Sequence, residues 1–194
     1  SRQEIIRRYY QALGRLAKDK GTQDEVYKIE LLMKQAKITP EYRPVVPTAN
    51  NLAKETKAPA AALELPDGKI VTGKTTALLG ASSAVLLNAV KELGGIPDET
   101  LLISPTFIEP IQHLKTEYLG SKNPRLHTDE VLTALSMCAA SDENARRALE
   151  QLPLLRGCQV HTSVMLSSVD VKTFHALGIQ LTSEPIYEDK KLYH

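Results

Sequence analysis

The sequence predicts an α/β protein: helices on both faces of one mixed sheet, a three-layer sandwich, preceded by a small helical subdomain. Three observations carry that expectation. From residue 58 onward, strand-like and helix-like segments alternate, an order that favours right-handed crossovers and parallel strands. Before it, apolar residues recur at helical spacing. The charge changes at the same place: residues 1–57 hold 12 Lys+Arg against 7 Asp+Glu, residues 58–194 hold 12 against 16. The expected division is a helical subdomain over 1–57 and an α/β subdomain over 58–194.

Ile5, Ile6, Tyr9, Leu13 and Leu16 form one stripe on a first helix, which Gly21 ends. Thr22-Gln23-Asp24-Glu25 is a capping box that opens a second helix, with Val26, Ile29, Leu32 and Ala36 inward and a stop before Pro40. Pro44 and Pro47 read as an extended connector, and residues 48–57 as a short third helix. Pro66-Asp67-Gly68 between residues 60–65 and 69–72 is a hairpin signal, because glycine supplies positive φ without a Cβ clash. A helix over 82–93 is closed by Gly94-Gly95. Leu101-Leu102-Ile103 reads as a short buried strand over 100–104, stopped by Pro105. Residues 106–119 read as a helix with Pro110 in its first turn. A polar loop over 120–127 leads to a helical pair over 128–155. Then follow a strand over 157–166, a helix over 169–177 ended by Gly178, and a last strand over 179–182.

Composition excludes several classes. A chain of 194 residues buries about 70% of its unfolded surface, enough to dispense with a disulfide or metal staple. Cys138 and Cys158 make no disulfide framework and lack the paired spacing of a zinc site. A net charge of +1 argues against nucleic acid as partner. No run approaches the ~18 apolar residues of a membrane span. The expected location is the cytoplasm, with no cofactor. The chain starts with Ser1, and residues 2–18 already read as the middle of a fold, which predicts a fragment of a larger protein.

Several strings resemble an uncharacterised bacterial family, the Domain of Unknown Function numbered eighteen forty-six. They run from Ala61 to Gly68, Ile70 to Lys74, Leu101 to Pro105, Glu150 to Pro153 and Leu155 to Cys158. The longest is Lys115 to Glu130, KTEYLGSKNPRLHTDE. The chain is similar to the C-terminal portion of that family over nearly its whole length. The resemblance implies a helical subdomain followed by an α/β subdomain of cytidine-deaminase-like topology, and it implies no activity.

That topology raises zinc deamination, which uses H-x-E with P-C-x-x-C around one water. Here Glu130 follows His127 at i+3 and no C-x-x-C exists, so zinc deamination is rejected. Gly68 to Thr75 satisfies the P-loop pattern, G-x-x-x-x-G-K-[ST]. Its first glycine sits in a turn and its β-branched interior suits a strand, so a hairpin is the better reading. Gly80 to Ala84 loosely resembles a nucleophile elbow but lacks a strand before it. Lys74, Thr75, Ser82 and Ser83 crowd the approach to a helix N-terminus, where an anion is favoured unless Ser82 simply caps the helix. Lys122, Asn123 and Arg125 are candidates to hold a phosphate or carboxylate, and His127 and Glu130 are candidate acid/base groups. The ordinary alternative for that stretch is a solvated loop and a helix cap. His161 reads chiefly as a structural strand residue, His175 and His194 as incidental, and Cys158 as a small core residue.

Two functional classes follow. One is an enzyme domain binding a small phosphorylated or nucleotide-like molecule between the segments 74–83 and 122–130. The other is an assembly role, with the basic helical segment and Tyr9, Tyr10 and Tyr27 packing in a homo-oligomer or on a missing N-terminal region.

Overall fold

Ser1 and Thr22 start the first two helices by the same device, a hydroxyl oxygen accepting the N–H three residues on. Ser1 Oγ accepts from Glu4 at 3.2 Å to open α1 (Arg2–Ala17). Thr22 Oγ1 accepts from Glu25 at 3.3 Å to open α2 (Gln23–Ala36). A computed structural model describes residues 1–188; His194 lies outside them. α2 buries Val26 and Met33, while Leu32, expected inward, is exposed. α3 (Val45–Thr56) begins earlier than expected: Pro44 is its N-cap and Pro47 lies in its first turn, where a missing N–H costs nothing.

The hairpin is present as β1 (Ala60–Glu64) and β2 (Ile70–Lys74), paired antiparallel from Ala60↔Lys74 to Glu64↔Ile70. Gly68 turns between them at φ +90°. β3 (Gln159–Thr162) pairs antiparallel with β1, and β4 (Gln180–Ser183) pairs parallel with β3. Among the described residues these strands form one mixed sheet with the order β2-β1-β3-β4. The expected strand over 100–104 is absent. Leu102 and Ile103 are buried as expected of a strand, but they reach the core from irregular backbone held between Pro97 and Pro105.

Successive strand residues face opposite ways, and β1 uses both sides. Ala61 and Leu63 join the main aliphatic core with Val85, Leu86 and Ala89 of α4 (Ala81–Leu93). Ala62 packs on Val45 and Ala49 of α3. Gly73 lets α4 lie directly on β2: a Cβ there would sit 2.8 Å from the Ala84 carbonyl carbon. The main core also takes residues from α6 (Thr128–Cys138), α7 (Glu143–Leu149) and α8 (Ser168–Ala176), whose Phe174 is fully buried. Removing that ring from water stabilises the fold by about 2–3 kcal/mol.

α5 (Pro105–His113) is shorter than expected, and Pro110 is its sixth residue rather than a first-turn residue. Without the Pro110 N–H, the ladder loosens into a π turn over Leu114–Tyr118. That turn aims the otherwise surface-type Lys115 inward, to 5% exposure. Among the described residues no helix is long and apolar enough to cross a membrane.

Candidate functional site

The two segments singled out by sequence are neighbours. Leu79 and Leu126 form an isolated parallel bridge, and the Leu126 N–H donates to the Leu78 carbonyl at 3.2 Å. Ser83 Oγ donates to the Leu126 carbonyl at 3.1 Å, and Arg125 Nε donates to the Thr76 carbonyl. The loop before α6 is thereby sewn to the first turn of α4. Between them and the end of β3 lies a cavity of about 240 Å³. Thr75, Ser82, Asn123, Arg125 and His127 line it together with the carboxylates of Asp170 and Glu188, and Pro59, Met165 and Leu166 supply an apolar wall.

Gly80 is the N-cap of α4 and has no side chain to cap with. Thr75 Oγ1 accepts the Ala81 N–H at 3.1 Å, so one of the free amide donors is satisfied from outside the helix. Ser82 therefore lies inside the first turn rather than capping it, and it faces the cavity.

His127 is held from below. Its backbone N–H donates to Glu130 Oε1 at 2.8 Å, and its Nδ1 lies 3.4 Å from the same oxygen. Lys115 Nζ reaches Glu130 Oε1 at 2.8 Å and also donates to the Arg125 carbonyl. Burial alone would raise the Glu130 pKa; hydrogen bonds from His127 and Lys115 outweigh it and hold the carboxyl down to about 2. The hydrogen bond to Glu130 raises the His127 pKa above 6.5, against burial and the Lys115 charge. The imidazole therefore carries more positive charge near neutral pH than a free histidine. Beside it, Asp170 of α8 accepts from both the N–H and the hydroxyl of Thr128, at 2.9 and 2.8 Å, which locks α6 to α8 at the cavity rim.

Of the residues singled out by sequence, Thr75, Ser82, Asn123, Arg125 and His127 line this cavity. Lys74 and Lys122 are exposed outside it, Ser83 is spent on Leu126, and Glu130 sits behind His127. The P-loop match is structurally a hairpin: Gly68 is in its turn and Gly73 inside β2. No strand precedes Gly80 within 75–79, so the elbow geometry is missing as well. Among the described residues no group of three or more His, Cys, Asp and Glu side chains is placed to hold a metal ion. Sequence reasoning missed Asp170 and the 164–167 segment that forms the apolar wall. It also missed a buried network of Arg43, His161, Thr182 and Glu184, whose members are far apart in sequence and carry no shared motif.

Residues 41–193 match the family described as "Domain of unknown function DUF1846, C-terminal". The chain belongs to this family. It is 56% identical over 193 residues to the UPF0371 protein of Corynebacterium efficiens, covering 100% of this chain and 39% of that one. The UPF0371 protein of Corynebacterium diphtheriae is 52% identical over 196 residues, with the same two shares. That of Streptococcus pyogenes serotype M3 is 46% identical over 193 residues, again with those shares. The chain thus spans about two fifths of the length of these curated bacterial relatives. The match to relatives includes α1 and α2, which precede the C-terminal family match.

Proposed function

We propose that the cavity binds a small phosphorylated or nucleotide-like anion, and that the chain is the C-terminal part of a longer cytoplasmic bacterial protein that acts on it. The observation that carries this reading is the clamp at Leu126. Its flanking residues, Arg125 and His127, are held beside the N-terminal turn of α4, so two cationic side chains and a helix N-terminus share one small space, bordered by the carboxylates of Asp170 and Glu188. Arg125 and Asn123 hold the anion, with Thr75 and Ser82 at the helix turn. His127 contributes charge and is the group placed to exchange a proton with the ligand. Glu130 stays ionised behind it and sets its charge. The apolar wall at Met165 and Leu166 seats the flat or aliphatic body of the ligand. The opposite facing of Ala61 and Ala62 supports a three-layer arrangement, and the order β2-β1-β3-β4 supports a cytidine-deaminase-like topology. A thermal-shift screen against nucleotides, sugar phosphates and pyrophosphate tests the reading, since a ligand of the native state raises its stability. Stabilisation by none of these anions would dismiss it.

A second reading, assembly through the helical subdomain 1–57, is favoured by one observation. α2 packs chiefly on α1 and leaves Tyr27, Leu31 and Leu32 exposed on its outer side. This face meets either a second copy or the remainder of the longer protein. Light scattering of wild type and Leu31→Glu tests the homo-oligomer, which predicts a smaller mass for the variant.

A further inference from the structure

A second constellation lies on the other side of the sheet. His161 of β3 stands beside Thr182 of β4 in the ladder and is fully buried. Its Nδ1 is 2.7 Å from Thr182 Oγ1, and its Nε2 is 2.6 Å from Glu184 Oε2. The Tyr10 ring covers the imidazole at 4.9 Å between centroids. Arg43, also fully buried, donates from Nε to Thr182 Oγ1 at 3.1 Å, and from Nη2 to the Val160 and Gln180 carbonyls at 3.1 and 2.7 Å.

The protons in this chain have one consistent arrangement. Burial alone would raise the Glu184 pKa, but hydrogen bonds from His161, Asn50 and Tyr10 outweigh it, so Glu184 is a carboxylate and takes the Nε2 proton. Burial lowers the His161 pKa, so the ring is neutral and Nδ1 is an acceptor. The Thr182 hydroxyl lies 3.4 Å from the Val160 carbonyl and 2.7 Å from Nδ1, and it donates to the nearer Nδ1, while the Arg43 N–H donates to the same oxygen. This is a hydroxyl, an imidazole base and an orienting carboxylate in hydrogen-bonded sequence, the arrangement that activates a weak nucleophile.

Thr182 and Tyr10 line a cavity of about 350 Å³ under α1, with Arg15 and Lys18 among its other walls. Among the described residues β4 is an edge of the sheet, and the amides of Gln180 and of Glu184 just beyond it donate inward to the Cys158 and Thr162 carbonyls. The alternate Leu181 and Ser183 amides therefore face the open edge, where both residues line the cavity. Amides so placed suit the oxygen of a developing tetrahedral centre.

We propose that Thr182 is a nucleophile for acyl transfer, with His161 as its general base and Glu184 as a positioning residue, and that its substrate is an ester or thioester with an anionic body. Thr182 Oγ forms a bond to the acyl carbon as the bond from that carbon to the leaving oxygen or sulfur breaks. The hydroxyl proton passes to His161 Nδ1 and from there to the leaving group, while Nε2–H stays on Glu184. This site uses none of the polar residues that line the cavity at His127, although Met165 and Leu166 border both.

The test treats the full chain with p-nitrophenyl acetate and maps acetylated residues by tandem mass spectrometry. The expected result is acetylation at Thr182, abolished in Thr182→Val and regained in the less hindered Thr182→Ser. Glu184→Gln slows labelling about tenfold or more without moving its position, because an orienting carboxylate acts on rate. Absence of acetyl at Thr182 in the wild-type chain overturns the proposal, whether or not any variant folds; so does equal labelling in a folded Thr182→Val.

Discussion

Lys115 Nζ lies 2.8 Å from Glu130 Oε1 and also donates to the Arg125 carbonyl, so one buried ammonium ties together both residues that flank Leu126 and the carboxylate under His127. Lys115→Met removes that tie and leaves the partly buried Glu130 with His127 alone as a cationic partner. Breaking a buried pair in this way costs about 3–5 kcal/mol. Urea denaturation of the variant is expected to show a loss in that range. An unchanged midpoint would mean that the pair contributes nothing to the loop.

Acid should find the same cluster. Glu130 is held at about 2 in the fold against an ordinary 4.5, so its contribution is fully present above 4.5 and is lost as pH falls toward 2. It amounts to ~3 kcal/mol at most. Stability measured against pH should fall less steeply between 4.5 and 2 in Glu130→Gln than in wild type, and the variant should already be weaker at neutral pH. Parallel slopes would contradict the assignment.

His127 has the opposite sign. Its pKa is raised, so the cationic form that favours an anion is complete below 6.5 and disappears as pH climbs through the higher folded value. Pyrophosphate affinity should therefore decline above pH 6.5 more steeply in wild type than in His127→Gln, where only the ionisation of the ligand itself remains. Calorimetric titrations at several pH values check this.

At Gly73 the prediction is steric. A methyl group there collides with the Ala84 and Val85 backbone, so Gly73→Ala must push α4 off β2. The expected cost is about 1–3 kcal/mol or more, with weaker ligand binding because the α4 N-terminus moves. A melting temperature equal to wild type would show that the helix is free to shift.

Arg43 anchors the helical segment to the sheet through β3 and β4. Its pKa is lowered to about 10, mainly by burial, which still leaves it charged at neutral pH. Arg43→Ala removes the donor to the Gln180 carbonyl and one of the donors to the Val160 carbonyl and opens a cavity, at about 3–5 kcal/mol. Arg43→Lys should rescue little, since a lysine lacks the planar fork. A loss below ~1 kcal/mol for the alanine variant would contradict the anchoring role.

Local features of this fold were legible in the sequence. The helix start at Thr22, the Gly68 turn and the ends at Gly94 and Gly178 each rest on a few adjacent residues whose chemistry decides the backbone, whereas the cap at Ser1 was not read. Leu101-Leu102-Ile103 shows the limit of that reading, because apolar residues meet the core whether or not a partner strand is available. The loop from Asn123 to His127 was legible as polar and cation-rich, but its clamp on α4 depends on Leu126 meeting Leu79. Lys115 and Arg43 look like surface residues in any window. One is turned inward by the π turn after Pro110, and the other by packing between segments more than a hundred residues apart.

The most direct measurement is calorimetric titration of the full chain with inorganic pyrophosphate and with a nucleoside diphosphate, on wild type and Arg125→Ala. The account predicts one binding site in wild type, and an affinity lower by about tenfold or more in a variant that is still folded. Binding of neither compound, or equal binding by both proteins, would contradict it.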